Sequence, residues 1–585
     1  MLNHLRSYWN LLATYLQPYR RQVILLAVLL LSSIAMQLLN PQLLRLFIDT
    51  AQQPASPLGA LFGVAGLFIT IALLAQGLSL WASYISENLA WSATNGLRAD
   101  LTFHCLKLDM TFHKGRTPGE LIERIDGDVT AMANFFSQFV IRVLGNVLLM
   151  LGVLVVLWLE DWRIGGGMTL LAVALFFTLL KVQQLTVPFW AKAREASAAL
   201  FGLIEERLSG TEDIRSSGAI DHTMRRLAER SASRLHFERR AAVIGSLTWL
   251  TPMLFFAVAS ALSYWLGHTS FYAGTMTLGT VYLLFFYTDA LLRPVIQITR
   301  QIEDLQKAGA GVVRVGELYG FSSALADGPD ALPAGPLDVA FEAVGFAYDD
   351  GDGARDTVLH DLNLRIAAGR TLGILGRTGS GKTTLTRLLF RLYDVTDGRI
   401  ALAGRDIRTI SIDNLRQRVG MVTQEVQLFH ATVRENLTFF DPTITDAQIM
   451  AVLQDLELLP WFQTLPDGLD TVLAAGNGGL SAGEAQVLAF TRVFLRDPGL
   501  IILDEASSRL DPATERMIER AVDRLLAKRT GIIIAHRLAT VLRADDILIL
   551  EDGRICEYGP TEVLRANPDS RFAKLLHKGL DDVLV

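Results

Sequence analysis

The sequence predicts two domains of different fold class. An all-α transmembrane domain of six helices with long cytoplasmic extensions is followed by an α/β domain built around a phosphate-binding loop. Long apolar segments fill the first half, basic residues concentrate in alternate connections between them, and beyond residue 337 short β-branched runs alternate with helical patterns. The predicted domains are residues 1–323 and 338–585, joined by a linker at 324–337 that is rich in Pro, Gly and Ala.

Composition agrees with a membrane protein of more than one domain. The chain has 585 residues, of which 51% are hydrophobic and 19% charged, and its mean hydropathy is +0.32. Single cores stop growing near about 250–300 residues, so more than one domain is expected. The net charge of −6 gives no signal for a nucleic acid partner. The two cysteines, Cys105 and Cys556, lie far apart and indicate neither a disulfide framework nor a thiolate metal site.

Six segments are apolar enough to cross a bilayer, which requires about 20 residues. The first, "VILLAVLLLSSIAMQLL" at 23–39, contains no charged residue. Residues 1–22 have the pattern of an amphipathic helix and predict a helix at the membrane surface before the first span. The other five spans are predicted at roughly 58–82, 132–159, 165–189, 241–267 and 275–298.

The distribution of Lys and Arg predicts the orientation. The connection after the second span contains several Lys and Arg residues and the connection after the fourth is rich in Arg, whereas the remaining connections contain almost none of either. Because cytoplasmic connections carry the positive charge, both termini and the second domain are expected in the cytoplasm of a multi-pass protein of the cell membrane. The two basic connections have helical patterns, with Gly and Pro where each hairpin would turn, at 109–129 and 207–219.

The second domain contains the sequence "GRTGSGKT" at 376–383, between an apolar strand and a helix. It matches the pattern G-x-x-x-x-G-K-[ST], in which glycines let backbone N–H groups surround phosphate oxygens. Lys382 adds a positive charge and Thr383 offers a hydroxyl to Mg²⁺. The predicted nucleotide-binding residues of this loop are Gly376, Arg377, Thr378, Gly379, Ser380, Gly381, Lys382, Thr383 and Thr384.

Polar residues also follow three apolar strands. "LIILDEA" ends in Asp504, suited to the metal, and Glu505, suited to an attacking water. "GIIIAHR" ends near His536, and "MVTQEVQLF" places Gln424 where it can reach metal or water. Each motif is weak alone, but beside a phosphate-binding loop they predict one crevice. Tyr348 is a candidate for stacking on adenine, with an ordinary edge-strand aromatic as the alternative.

A second candidate anion site lies at "LSAGEAQ", residues 480–486. A Ser-Gly turn runs into the apolar helix "AQVLAFTRVFL", and helix N-termini bind anions. The phosphate-binding loop, however, lies about a hundred residues earlier, and Glu484 adds a negative charge. The charge favours the helix dipole but opposes a phosphate.

In chain order, these motifs resemble those of the ATP-binding-cassette (ABC) family. Six spans fused before the cassette are similar to an exporter-type half-transporter. The corresponding motifs are the A-loop (Tyr348), Walker A (376–383), the Q-loop (Gln424), the signature (480–486), Walker B (500–505), the D-loop "SRLD" (508–511) and the H-loop (His536).

The resemblance implies that two chains enclose two molecules of ATP. Catalytic roles fall on Glu505, which polarises water, and on His536, Gln424 and Lys382, which contact the phosphates or the metal. Ser481 and Gly483 would close on the partner's ATP. Mg²⁺ would be held by Thr383, Gln424 and Asp504, and the hairpin turns at 109–129 and 207–219 would be coupling helices.

Several positions depart from the family pattern. The signature is usually L-S-G-G-Q, whereas this chain has Ala482 and Glu484. Arg509 replaces the usual Ala of the D-loop, and "VLAAGNGG" at 472–479 lacks an expected acid. Because Walker A, Walker B and His536 are intact, the pattern favours a heterodimer with a second half-transporter, and a homodimer remains the alternative.

The predicted function is ATP-driven transport of a hydrophobic or amphipathic substrate, such as a lipid, drug or peptide, by alternating access. Two alternatives remain at this point: an importer of metal-chelate cargo on the same fold, and an ATP-gated channel or sensor. The sequence itself specifies neither the substrate nor the direction.

Overall fold

The computed structural model describes residues 13–53, 57–349, 355–423, 426–474, 480–504, 512–534 and 541–578. The chain divides into two compact units. The first unit comprises the described residues of Met1–Leu106 and Pro118–Phe321, and the second those of Lys107–Thr117 and Ser322–Val585. The predicted surface helix at 1–22 lies partly outside the described residues.

The first unit is all-α. One helix, α3 (Met110–Lys114), lies in the segment that belongs to the second unit. Single π-helical turns at Glu123–Asp128 and Phe139–Leu144 interrupt the third span. The other helices up to residue 320 are α1 (Arg20–Ala51), α2 (Leu58–Lys107), α4 (Pro118–Ile122), α5 (Val129–Gln138), α6 (Gly145–Glu160), α7 (Trp162–Ser209), α8 (Thr211–Ser216), α9 (Ile220–Gly245), α10 (Leu247–Tyr272) and α11 (Leu278–Gly320).

In the part of the chain that the structure describes, six helical stretches are long and apolar enough to span a membrane, which confirms the predicted membrane helices. Several continue well beyond the bilayer. At 1.5 Å per residue the 50 residues of α2 extend over about 75 Å, more than twice the roughly 30 Å of a hydrocarbon core. The six stretches are Ala13–Ala51, Leu58–Lys107, Pro118–Glu160, Trp162–Ser209, Ile220–Tyr272 and Leu278–Ile298.

An ion pair between a buried carboxylate and an exposed arginine connects the first cytoplasmic hairpin to the last helix of the first unit. The Asp128 carboxylate, 3% exposed, lies at the end of a π-helical turn. Arg314 of α11 donates from Nε to Oδ2 at 2.8 Å and from Nη2 to Oδ1. Removing one partner of such a pair leaves an uncompensated buried charge, which costs more than the pair contributes.

We therefore expect Arg314→Met to lower the free energy of unfolding by about 2–3 kcal/mol, because it leaves the Asp128 carboxylate buried without its cation. Thermal denaturation of the detergent-purified protein measures the loss. Adding Asp128→Asn to Arg314→Met should restore most of the stability. Equal destabilisation of the single and double variants would contradict this role of the pair.

The strands that the structure describes in the second unit are β1 (Val339–Asp349), β2 (Arg355–Ile366), β3 (Thr371–Leu375), β4 (Asp397–Leu402), β5 (Arg405–Asp406), β6 (Val419–Val422), β7 (Ala431–Thr432), β8 (Val472–Leu473), β9 (Leu500–Asp504), β10 (Thr530–Ile534), β11 (Asp546–Glu551) and β12 (Arg554–Pro560). They form two larger sheets and one two-stranded sheet of β7 and β8. The six-stranded sheet has the order β12-β11-β3-β10-β9-β6, and all neighbours are parallel except the pair β11 and β12. The four-stranded antiparallel sheet has the order β2-β1-β4-β5.

Both faces of the parallel sheet are buried, which explains its continuous apolar runs. Because side chains alternate along a strand, Ile501 and Leu503 belong to one core, and Leu500 and Ile502 to another core shared with the antiparallel sheet. The helices are α12 (Lys382–Leu389), α13 (Ile412–Arg418), α14 (Val433–Thr438), α15 (Asp446–Asp455), α16 (Leu459–Phe462), α17 (Ala482–Leu495), α18 (Pro512–Leu526), α19 (Thr561–Ala566) and α20 (Arg571–Lys578).

The segment predicted as a linker packs on the second unit. Leu332 and Leu337 are buried in the core shared by the two sheets. The carbonyl oxygen of Ala326 accepts a hydrogen bond from Nη2 of the buried Arg391 at 2.8 Å. This stretch is thus anchored to the second unit by side-chain burial and hydrogen bonds.

Candidate functional site

The phosphate-binding loop connects β3 to α12, and its backbone requires glycine. Gly379 and Gly381 have φ values of +84° and +100°, a region that residues with a side chain rarely adopt. A Cβ on Gly381 would also lie 2.6 Å from Cδ2 of Leu359. The loop can therefore bring backbone close to a ligand without interference from side chains.

Two polar side chains of the loop indicate an anion-binding site. Lys382 is 6% exposed, and its Nζ donates to the carbonyl oxygens of Gly376 and Arg377 at 2.6 and 2.9 Å. The Oγ atom of Ser380 is buried and has no hydrogen-bond partner among the described residues. A buried hydroxyl without a partner is costly, and a phosphate oxygen would supply one. The residues present thus fit a bound phosphate group.

The sheet order brings the carboxyl ends of four strands to one edge. Strands β3, β10, β9 and β6 are parallel neighbours, so their carboxyl ends lie together beside the phosphate-binding loop. Asp504 is the half-buried last residue of β9, directly opposite Ile534. Thr383, the other predicted metal ligand near this edge, is exposed.

Three predicted catalytic residues follow these strand ends closely but lie outside the described residues. Glu505 comes directly after β9, while Gln424 and His536 come two residues after β6 and β10. Their positions in the chain agree with one shared crevice. Their individual roles stay predictions.

Tyr348, the candidate for stacking on adenine, is half-buried in an aromatic cluster. Its ring makes edge contacts with Phe346 and Tyr393, at centroid distances of 4.8 and 5.3 Å. Its hydroxyl lies 3.2 Å from Oγ1 of Thr384, next to the phosphate-binding loop. Nζ of Lys114, on α3, is 4.4 Å from the centroid of the Tyr348 ring. Sequence reasoning missed this lysine, because nothing local links it to a distant strand.

The signature segment forms a capping box. Ser481 is the N-cap residue of α17, and its Oγ accepts from the Glu484 amide at 3.3 Å. The Glu484 carboxylate accepts from the Ser481 amide at 2.7 Å and from Ser481 Oγ at 2.8 Å, while its other oxygen accepts from Nε1 of Trp461 at 3.2 Å. Gly483 is buried in the first turn. The spacing S-x-x-E is the sequence signal for this motif, which the sequence analysis overlooked.

A buried arginine connects the signature helix to the segment that follows Gln424. Arg492 of α17 donates to the carbonyl oxygen of Asn436 at 2.6 Å, to its Oδ1 at 3.0 Å and to the carbonyl oxygen of Gln427 at 3.0 Å. Burial lowers the pKa of Arg492 to about 10, so the guanidinium remains protonated at neutral pH. Sequence reasoning also missed Arg492, although a basic residue in an otherwise apolar stretch of helix can indicate a buried polar contact.

Two family profiles match the chain. The profile described as "ABC transporter transmembrane region" matches residues 23–295, and the profile described as "ABC transporter" matches residues 359–508. Together they cover more than half of the sequence, and the chain belongs to the ABC transporter family. It is a multi-pass membrane protein with a cytoplasmic ATPase domain, and it couples ATP hydrolysis to transport.

Named relatives are similar over most of the chain. The fatty acid ABC transporter ATP-binding/permease protein of Mycobacterium bovis is 31% identical, over 84% of this chain and 78% of that protein. YgaD of Bacillus subtilis, provisionally named a multidrug export ATP-binding/permease protein, is 29% identical over 94% and 96%. The ATP-dependent lipid A-core flippase of Syntrophus aciditrophicus is 29% identical over 93% and 88%.

A solved structure has the same fold. The structure of a bacterial Atm1-family ABC exporter with ATP bound superposes with a TM-score of 0.80, covering 96% of this chain and 99% of that one. The sequence identity is 24%. The predicted architecture, a six-helix membrane domain fused to an α/β ATP-binding domain, is thus confirmed.

Ser380→Ala tests the phosphate site. Removing a hydroxyl that lacks a partner should leave the melting temperature of the ATP-free protein unchanged, but it should weaken ATP binding about tenfold or more, because a hydrogen bond to a charged group is lost. Titration with labelled ATP measures the affinity. Thr561→Ala is the control, since the buried Thr561 hydroxyl already donates to the carbonyl oxygen of Ala544. It should lower stability without changing ATP affinity, and the same affinity for Ser380→Ala and wild type would contradict the assignment.

Proposed function

We propose that the protein is an ATP-driven exporter of amphipathic or hydrophobic molecules that works by alternating access. The observation that carries the proposal is the Ser380 hydroxyl of the phosphate-binding loop, which is buried without a hydrogen-bond partner among the described residues. The same described part of the chain contains six helical stretches that could span a membrane. The printed names of the relatives assign them fatty acid, lipid A-core and multidrug substrates. All of these are apolar or amphipathic, and this supports the substrate class and the direction.

In the proposed site each residue has a distinct task. Lys382, Ser380 and the loop amides bind the phosphates, and Tyr348 packs on the adenine base. Thr383, Gln424 and Asp504 offer oxygen atoms, the ligands that Mg²⁺ prefers, and the metal would neutralise charge on the phosphates. Glu505 orients and polarises the attacking water, and His536 contacts the γ-phosphate.

We further propose that the working unit contains two half-transporters with unequal ATP sites. In a dimer, Ser481 and Gly483 of this chain would complete the site on the partner's phosphate-binding loop. Here the Ser481 hydroxyl and amide are already bonded to the Glu484 carboxylate. The hydroxyl and amide of Ser481, which could donate to a phosphate, therefore already donate to the Glu484 carboxylate.

The Glu484 charge also repels a phosphate directly. A phosphate oxygen bound to Ser481 Oγ would lie within about 6 Å of the carboxylate, the sum of two hydrogen-bond lengths. At an effective dielectric constant of about 20, two unit charges at that distance repel by about 3 kcal/mol. This penalty favours a heterodimer, in which this chain supplies the intact Walker motifs and the partner a standard signature.

ATPase rates separate a heterodimer from a homodimer. The chain is purified alone and together with the product of the adjacent reading frame, and the rates of the two preparations are compared.

Glu505→Gln tests the proposed catalytic residue. Loss of the carboxylate should reduce ATP hydrolysis at least 100-fold while ATP still binds, because general-base contributions are typically about 10²–10⁴-fold. ATPase rate and bound nucleotide are measured on the same preparation. Lys382→Ala is the comparison variant and should lose binding as well. Near-normal turnover of Glu505→Gln would exclude this residue as the base.

Glu484→Gln tests the unequal sites. In the Glu505→Gln background, the neutral amide should raise the ATP affinity of the site completed by this chain roughly tenfold or more, as the repulsion disappears. Nucleotide titration of the purified assembly should show the second binding step move to lower concentration. Glu562→Gln, which neutralises another first-turn acid on α19, should leave both steps in place. An unchanged second step in Glu484→Gln would argue against a weakened site.

A further inference from the structure

The cytoplasmic part of the first unit contains an open groove of about 570 Å³ along α9. Residues at helical spacing on one face of α9 form its wall, and Phe189 of α7 closes the other side. The wall is both basic and apolar, with His236, Arg239 and Arg240 between Leu235 and Val243.

The groove lies at the level where the chain enters the bilayer. α9 ends at Gly245, and the apolar span α10 begins at Leu247. Trp190 and Trp249 lie near this boundary and are 45% and 67% exposed, and tryptophan is enriched at membrane surfaces. Trp190 packs beside Gly245, where an added Cβ would lie 3.2 Å from its Nε1 atom. The groove therefore faces the headgroup region of the cytoplasmic leaflet.

Within the described ranges, no carboxylate pairs with the two arginines of the groove. Arg239 and Arg240 are exposed, and neither forms an ion pair with any residue in the described part of the chain. Other arginines of the same helix do have partners. Arg234 pairs with Glu238 at 2.7 Å, and Arg226 pairs with Glu229 at 3.2 Å. The groove thus concentrates uncompensated positive charge.

Apolar surface adjoins this charge. Leu235 and Val243 are 55% and 71% exposed. They lie on the same face of α9 as the arginines, about one turn before and one turn after Arg239. A free phosphate would use the arginines alone, whereas a lipid would also cover this apolar surface. Arginine is well suited to phosphate because its planar guanidinium can donate two parallel hydrogen bonds.

We propose that this groove binds an anionic phospholipid of the cytoplasmic leaflet. The phosphate-bearing head lies against Arg239 and Arg240, and an acyl chain runs along Leu235 and Val243. Basic pockets between membrane helices on the cytoplasmic side bind anionic headgroups in this way. The proposal does not depend on which molecule is transported.

Native mass spectrometry of the full-length assembly in detergent tests the site. Phosphatidylglycerol and phosphatidylcholine with identical acyl chains are titrated separately, and wild type should bind the anionic lipid more tightly. Arg239→Gln with Arg240→Gln should weaken phosphatidylglycerol binding roughly 30-fold, since each basic residue near an anionic surface contributes about 1 kcal/mol. Phosphatidylcholine binding should weaken much less, because its choline cation cancels the charge of the phosphate. Arg239→Lys with Arg240→Lys keeps the charge and should lower phosphatidylglycerol affinity only a few-fold. This variant still tests the site if the glutamine variant folds poorly.

Matched controls separate this groove from general charge effects. Arg225→Gln with Arg226→Gln removes the same charge from the same helix and should leave phosphatidylglycerol affinity within about twofold. Leu235→Asn should weaken both lipids, and glycerol phosphate should bind far more weakly than phosphatidylglycerol. Equal losses in the two arginine pairs, or equal binding of glycerol phosphate and the lipid, would overturn the proposal. The proposal would also be overturned if the glutamine variant dissociated into single chains while its lipid binding stayed unchanged. The groove would then be a subunit interface.

Discussion

Backbone N–H and C=O groups that enter the hydrocarbon core of a bilayer need partners within the protein, because no water is present there. The six long helices of the first unit satisfy this constraint within each segment. In the second unit, backbone N–H groups at the phosphate-binding loop can find their partner in a bound ligand instead. Between Gly376 and Gly381 the backbone adopts left-handed turns ahead of α12, and the first N–H groups of a helix have no intrahelical partner. Phosphate binding follows from those unsatisfied groups.

Two helices of the second unit illustrate how local partners decide whether an N-terminus accepts an anion. α12 begins directly after a glycine-rich loop. Nζ of Lys382, its first residue, donates to the carbonyl oxygen of Gly376, and the Oγ atom of the loop residue Ser380 is buried. α17 begins with a capping box whose own carboxylate already occupies the donors of Ser481. Both helices have the same dipole direction relative to their first turn. The glycine loop, Lys382 and Ser380 leave the start of α12 open to an anion, whereas the Glu484 carboxylate occupies the donors of Ser481 at the start of α17.

Charges in the first unit have two roles according to whether they are paired. Arg314 neutralises the buried carboxylate of Asp128 and holds the first hairpin to α11. Arg239 and Arg240 have no carboxylate partner among the described residues, and they line a groove at the membrane boundary, where phosphate groups of lipids are abundant. Internal pairing stabilises the fold, whereas unpaired cations at this depth are available to the bilayer.

Composition and spacing alone established the membrane spans, their orientation and the phosphate-binding loop, because each depends on residues that are neighbours in the chain. Tertiary structure decided which distant elements meet. That β10 lies between β3 and β9, that Lys114 contacts Tyr348, and that Arg492 binds Asn436 all depend on chain crossings that leave no periodic pattern. The capping box of Ser481 is intermediate, since its spacing was readable but only the structure identifies its carboxylate as the partner of the signature serine.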